Sequence, residues 1–293
     1  MTQRDYSSIS PSARALLQAK ALTDIPYMAD AARLVRGAPI PNASPDPKSK
    51  LIALMRLLHF EARYKSLDRM LEELGSTHIF EISSGFSFRG LHLAVNRPGV
   101  FYIDTDLPGI IADKQQLIAQ LMQTRHLQLR GDLATHELNA LDEAGFFKLL
   151  SLMPQGPVTI INEGLLMYLA NDEKIKMCRI IHRALKQYGG YWATADIYVK
   201  KELQADGFQQ FMMSDDFSKF LSAHHVEENK FDSFEQAARF FNEQGFKIYK
   251  KAEKAKPEQL SALKYLDSNM LRGYLPEGRT FPHIRETWVL EAV

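Results

Sequence analysis

Three stretches decide how this chain folds: Ile79–Gly90, IFEISSGFSFRG; Val100–Lys114, VFYIDTDLPGIIADK; and Ile160–Leu169, IINEGLLMYL. The first is an apolar strand running into a turn of small residues. The second is a strand ending in Asp106, with Leu107-Pro108 behind it to start a helix. The third is a strand delivering Glu163 and leaving through Gly164. The step from Gly85 to Asp106 is close to the separation of about 20 residues between a cofactor-cradling turn and the carboxylate that holds a ribose. A turn of this kind followed by an acid is how an α/β sheet holds an adenosine-bearing cofactor.

Outward from these stretches the pattern alternates. Strands are predicted at His78–Ser83, Gly99–Asp104, Leu127–Arg130, Val158–Asn162 and Tyr191–Ile197. Helices are predicted between them at Arg89–Val95, Pro108–Gln123, Leu138–Leu152 and Asp172–Tyr188, the last capped by Asn171. A mostly parallel sheet with helices on both faces follows. Two late strands, Phe246–Lys250 and Glu286–Ala292, fit an antiparallel edge pair, with a helix at Phe234–Gln244 before them. Upstream, helical patterns run from Ala13 to a break at Pro26 and from Leu51 to Leu74. They are separated by the proline-rich loop Gly37–Lys48. The expected organisation is an N-terminal helical extension over residues 1–75, an α/β core over 76–199, a Met- and Phe-rich lid or substrate insertion over 200–232, and completion of the same sheet over 233–293.

Composition narrows the class. The chain has 293 residues, 45% of them apolar, with 36 basic side chains against 35 acidic ones. So balanced a charge supplies no global steering toward nucleic acid or an anionic membrane. The single cysteine, Cys178, excludes an intrachain disulfide framework and any cysteine-rich zinc site. The opening residues are polar, without the apolar stretch of a secretory signal, and no apolar run is long enough to span a bilayer. A cytoplasmic protein is expected, with no metal site. The His224-His225 and Glu227-Glu228 cluster reads as a solvated face, as does the basic run Lys247, Lys250, Lys251, Lys254 and Lys256.

Individual residues carry two readings each. Glu81, Ser83, Gly85 and Ser87 occupy the slots of an acid-x-Gly-x-Gly-x-Gly loop, in which backbone must approach a ligand closely; the other reading is an ordinary strand-to-helix turn. Asp106, with Leu107 beside it, suits a ribose, and Asp104 competes for the role. Asp132 and Leu133, placed after the third predicted strand, reach an adenine or merely cap a helix. Glu163 has no explanation in core packing. Tyr168, Tyr191, Trp192 and Tyr198 line an acceptor pocket or pack in the core.

Taken together, these motifs resemble the leucine carboxyl methyltransferase-like group of S-adenosylmethionine-dependent O-methyltransferases, which includes enzymes of polyketide biosynthesis. IFEISSGFSFRG is similar to that family's strand and LGAGLDTR-type loop, with Ser83 and Gly85 on its first two glycines and Arg89 on its arginine. IDTDLPGIIADK, GDL and NEGLLMYL follow in the family's order, from Ala13 to about Asp196. The resemblance implies a class I methyltransferase, Rossmann-like sheet, S-adenosylmethionine as cofactor and a small-molecule methyl acceptor. It implies that Arg63 pairs with the methionine carboxylate, Gly85 lines the methionine, Asp106 holds the ribose, Asp132 and Leu133 flank the adenine, and Glu163 lies by the amino group or the methyl. The chain departs from the family at Ser83, where glycine is usual, and at Ser87, where aspartate is. For a hydroxyl acceptor the base is Glu163 first and Tyr168 second. A nicotinamide-dependent oxidoreductase, which would want a fuller G-x-G-x-x-G turn, and a binding protein that keeps the fold without turnover are the rival readings. Asp106→Ala is expected to weaken cofactor binding with little change in thermal stability.

Overall fold

The structure, a computed structural model, describes residues 10–35, 47–200, 222–266 and 283–293. Most of the expected proline-rich loop and of the expected lid lies outside these residues. Seven strands form one sheet: β1 His78–Ile82, β2 Phe101–Asp106, β3 Asp132–Glu137, β4 Val158–Asn162, β5 Gly190–Tyr198, β6 Phe246–Lys251 and β7 Arg285–Ala292. Their order is β3-β2-β1-β4-β5-β7-β6. The first five are mutually parallel, and β7 runs antiparallel to both β5 and β6. This is the mostly parallel α/β sheet with an antiparallel edge pair that the alternating pattern predicted.

Period-two alternation sorts the side chains onto two faces. Phe80, Ile82, Ile103, Ile160, Trp192, Trp288 and Leu290 pack in one core. That core is covered by α6 (Glu143–Leu150), α7 (Asn171–Tyr188) and α8 (Phe234–Glu243). Ile79, Tyr102, Ile161, Ala193, Ala195 and Val289 face the other way, onto Leu67, Met70 and Leu71 of α3 (Pro47–Glu73). On that second side lie also α4 (Arg89–Asn96) and α5 (Pro108–Thr124), whose Lys114 reaches Asp104 of β2. The N-terminal helices α1 (Ser10–Lys20) and α2 (Met28–Leu34) close over α4 and α5: Leu17, Ile25, Met28 and Ala31 bury against Phe86, Phe88, Leu91 and Leu121.

Local chemistry sets the helix ends. Pro108 begins α5, where its missing N–H costs nothing. Ser233 Oγ accepts the Gln236 N–H at the start of α8. Asn171, expected to cap α7, is instead its first helical residue; the Glu173 carboxylate accepts the Ala170 N–H ahead of it. The basic run on β6 is paired: Lys247 with Glu291, Lys250 with Glu73 and Lys251 with Glu286.

One strand differs in place. The sequence predicts β3 at Leu127–Arg130, but the sheet pairs Asp132–Glu137 with β2, from Asp132 opposite Phe101 to Glu137 opposite Asp106. Asp132 and Leu133 therefore open the strand instead of following it. They stand at the amino edge of the sheet, the opposite end from Asp106, which corrects their expected placement beside the adenine. Among the described residues no helix is long and apolar enough to cross a membrane.

Candidate functional site

In an open parallel sheet, ligands collect outside the carboxyl ends of the strands. Here that edge is formed by the β1 turn, Asp106, the loop after Asn162, and Tyr198. Asp106 is the last residue of β2. Its Oδ2 accepts the Gly85 N–H at 2.6 Å and its Oδ1 accepts the Leu107 N–H at 2.7 Å, so it closes the β1 turn onto β2. Burial pushes its carboxyl above the ordinary range, against the pull of those two N–H groups. Asp104, the competitor, is buried within β2, ion-paired to Lys114 at 2.6 Å and bonded by the Ser84 hydroxyl. Its carboxylate is structural, and the strand-end position belongs to Asp106.

The turn's chemistry explains the glycine preference. Ser83 has φ of 52° and Gly85 of 54°. Both lie in the left-handed region, which costs an L-residue roughly 1–2 kcal/mol and glycine little. Ser83→Gly is therefore expected to raise stability by up to about 1 kcal/mol, after subtraction of glycine's larger unfolded-state entropy; a lower thermal midpoint would show that the Ser83 hydroxyl makes a contact worth more than the strain. Ser87, the second departure, accepts the Arg89 N–H at 3.3 Å. Helix α1 lies on this turn: a Cβ added at Gly85 would stand 3.7 Å from the Ala13 Cβ.

Behind the turn is a buried charge network. Arg89 donates to Glu81 at 2.5 Å, to Asp68 at 2.5 Å and to Glu163 at 2.9 Å, with its guanidinium 4.1 Å from the centre of the Tyr64 ring. The other oxygen of Glu81 accepts the Tyr102 hydroxyl at 2.6 Å. Glu81 is fully buried, and both its oxygens are taken from within the protein.

Glu163 receives three cations: Lys20 at 2.8 Å, Arg63 at 3.2 Å and Arg89 at 2.9 Å. Burial alone would push its carboxyl up, but the three cations outweigh it and hold the group far below the usual carboxylate range. So strongly acidic a carboxyl is a poor proton acceptor, which corrects the expectation of Glu163 as general base. The same depression makes a stability prediction. A lowered carboxyl contributes stability fully present above its unfolded value of about 4.3 and lost as pH falls toward the folded value. The urea midpoint of Glu163→Gln, below that of wild type at neutral pH, should thus keep its gap down to about pH 4.3 and converge on wild type only as pH falls below that value; a gap that stays constant as pH falls well below about 4.3 would show that Glu163 is not held by charge.

Asp196 shapes the Glu163 loop and was not singled out by the sequence reading. It accepts the backbone N–H groups of Gly164 at 2.6 Å, Leu165 at 2.7 Å and Leu166 at 3.2 Å, and the Asn162 side chain at 2.7 Å. It sits where the β5–β7 register slips between Thr194 and Ile197, a device that re-aims side chains at strand ends. Gly164 has φ of 82°, and a Cβ there would come within 3.1 Å of the Arg63 guanidinium. Glycine is required on both counts. Lys20, which pairs with Glu163, is the other residue of this edge that the sequence does not mark; its only local signal is its place in the last turn of α1.

The four aromatic candidates divide. Tyr168 and Tyr198 come together in an apolar cluster with Met167 and Val226 at the carboxyl edge. Trp192 is buried in the core, donating to Asn162 at 2.7 Å. Tyr191 stacks on Tyr249 at 4.6 Å near the start of β5. Those two belong to core and edge packing. Lys174, whose ammonium burial lowers to about 8, ties the Leu169 and Asn229 carbonyls together and so holds the segment before Phe231 near Tyr168. Among the described residues no group of three or more metal-ligating side chains gathers.

No protein-family model matches the sequence, and no curated protein does. Solved structures do. A DUF574 family protein from Streptomyces avermitilis is similar with a TM-score of 0.54 and 14% identity, over 96% of this chain and 97% of that one. PigF with SAH is similar with a TM-score of 0.48 and 15% identity, over 90% of this chain and 68% of that one. A magnesium protoporphyrin IX methyltransferase from Synechocystis with bound SAH is similar with a TM-score of 0.47 and 11% identity, over 92% and 96%. At such identities the first of these shares the fold of this chain along nearly its whole length, and the fold is what the likeness carries.

Proposed function

We propose that this protein transfers a methyl group from S-adenosylmethionine to an oxygen of a small molecule, as a relative of the leucine carboxyl methyltransferase-like enzymes, in the cytoplasm and without nucleic-acid or membrane partners. One observation carries the reading: the Asp106 carboxylate, at the end of β2, closes the Gly85 turn of the neighbouring β1. The residues present fit the cofactor. A carboxylate has about four lone-pair sites, and the two backbone N–H groups on Asp106 leave room for two ribose hydroxyls. Arg63, buried beside Glu163, supplies a guanidinium for the methionine carboxylate. The adenine end belongs beyond Glu137 and Leu138, since β3 presents those residues next to Asp106.

The sulfonium supplies an already activated methyl group, so the protein's work is alignment and exclusion of water. Helix α1, lying on the Gly85 turn, and the Lys20–Glu163 bridge cover the site from the N-terminal side. The segment around Val226 covers Tyr168 and Tyr198, and with the residues up to Phe231 it governs acceptor choice.

A second reading, a binding protein without turnover, draws on the three cations around Glu163, which leave that carboxylate unable to serve as base. Calorimetric titration with S-adenosylmethionine, S-adenosylhomocysteine and NAD tests the set. Binding of the first two alone supports the proposal, and methyl release to an acceptor panel then separates enzyme from binding protein. Binding of NAD alone would return the oxidoreductase reading, and binding of none would remove the cofactor.

A further inference from the structure

Methylation of a hydroxyl requires a destination for its proton, and Glu163 is too acidic to be one. Two groups at the end of β5 are placed for the task. Tyr198 Oη lies 2.7 Å from His59 Nε2 and accepts an N–H from Arg63 Nη1 at 3.2 Å. The two rings are 5.6 Å apart. We propose that Tyr198 and His59 form a proton relay for the methyl acceptor, and that the acceptor is a phenol. The proposal rests on the methyl-transfer reading and names its substrate class.

Arg63 anchors the relay by donating to the Tyr198 oxygen. A guanidinium only donates. Its N–H occupies one acceptor site of the phenol oxygen, and the relay takes the tautomer in which Tyr198 Oη–H donates to His59 Nε2 and the imidazole proton is on Nδ1. Arg63 also holds Glu163, so one side chain ties the relay to the cofactor-side carboxylate. In the reaction the acceptor O–H bond breaks as the Tyr198 oxygen takes the proton, and the Tyr198 proton passes to His59 Nε2. The acceptor oxygen forms its new bond to the methyl carbon, and the electron pair of the broken carbon–sulfur bond stays on sulfur. His59 ends as imidazolium and returns one proton to water. The products are an aryl methyl ether and a neutral thioether.

The acidity of the groups selects the acceptor. A phenol ionises near about 10 and an imidazole near about 6.5, a gap that a neighbouring guanidinium narrows. An aliphatic alcohol, about as weak an acid as water at about 15.7, lies out of reach, and a carboxylate would leave the relay unused. Among the described residues the charged groups gathered around Tyr198 and its partner Arg63 include Arg63 of α3, Arg285 of β7, Asp196 of β5 and Glu163 after β4. Arg63, whose N–H already rests on the Tyr198 oxygen, is the cation placed to favour a bound phenolate. Burial pushes the Tyr198 phenol up and Arg63 pulls it down, with the net above the ordinary value, so Tyr198 passes the proton on without losing its own charge state. The surroundings are aromatic: Phe60 stands edge-on to His59, and His224 edge-on to Tyr168.

The probe is 4-nitrophenol, whose ionised form is yellow, titrated into wild type, Tyr198→Phe and His59→Gln with and without S-adenosylhomocysteine. In wild type the bound probe should ionise about one pH unit or more below the free probe, about a tenfold shift; each variant should remove the shift. Nitrogen NMR should show His59 in the Nδ1-protonated form in wild type and lose that signature in Tyr198→Phe. An unshifted probe, a shift that survives both variants, or no binding of the probe to folded wild type would overturn the proposal. Calorimetry with S-adenosylhomocysteine keeps the two readings apart. Its binding beside an unshifted probe removes the phenol relay alone, and a shifted probe without its binding removes the methyl-transfer reading and with it the relay's part in methylation, leaving a phenol-ionising site.

Discussion

Arg89→Met is expected to destabilise the fold by about 3–5 kcal/mol, the cost of stripping the partner from buried charges. Arg89 is 1% exposed and serves three carboxylates. Without it Glu81, fully buried in β1, keeps only the Tyr102 hydroxyl on one oxygen. Asp68 contributes least to the loss, since its side chain is 38% exposed and water can replace the guanidinium there. Methionine has nearly the length of the lost side chain, so the experiment reads charge and hydrogen bonding more than a cavity. Arg89→Lys should recover only part of the loss, because an ammonium is a point charge and cannot present Nε, Nη1 and Nη2 to three acceptors in fixed directions. Urea midpoints of the two variants and wild type decide it. A midpoint for Arg89→Met at the wild-type value would mean that the carboxylates reprotonate or find water at no cost, and the network would lose its structural role.

Asp106→Asn is expected to weaken S-adenosylhomocysteine binding about 10- to 100-fold, the loss of one charge-assisted hydrogen bond converted at about 1.4 kcal/mol per factor of ten. Asparagine retains one acceptor oxygen and fills the same space. Calorimetry on a variant of unchanged fold reads the effect directly, and equal affinity in variant and wild type would take Asp106 out of the site. Asp106→Ala is a poorer test than the sequence promised. Asp106 is 8% exposed, and its two oxygens accept the Gly85 and Leu107 N–H groups. Alanine would leave both donors short of a partner, at about 1–3 kcal/mol each where water cannot enter. Its expected neutrality in thermal stability is thus corrected: affinity and stability should fall together.

Much of the fold was legible because burial leaves a period in the sequence. β1 and β4 are short, largely apolar strands buried almost throughout, and the sequence places both to within a residue. Pro108 announced α5, and the apolar stripe of Ile175, Cys178, Ile181 and Leu185, buried except for the half-buried Ile175, announced α7. β3 failed for the same reason those succeeded. It is the outer strand beside β2, and none of its residues is fully buried. Edge position removes the apolar alternation, so DLATHE reads as loop while the nearby LQLR reads as strand. That slip carried Asp132 and Leu133 to the wrong end of the sheet.

By itself the sequence determined the alternation of strands and helices, the acids delivered to strand ends at Asp106 and Glu163, and the small-residue turn between them. These are local facts, written in periodicity and in the turn chemistry of proline and glycine. Which carboxylate remains open to a ligand was decided only by the tertiary structure. Lys20 and Arg63 reach Glu163 from 143 and 100 residues away, and Asp196 shapes the Glu163 loop from about 30. Coulomb attraction and hydrogen bonding act through space, at 2.6–3.2 Å in this site, and residue spacing along the chain holds no record of such approaches.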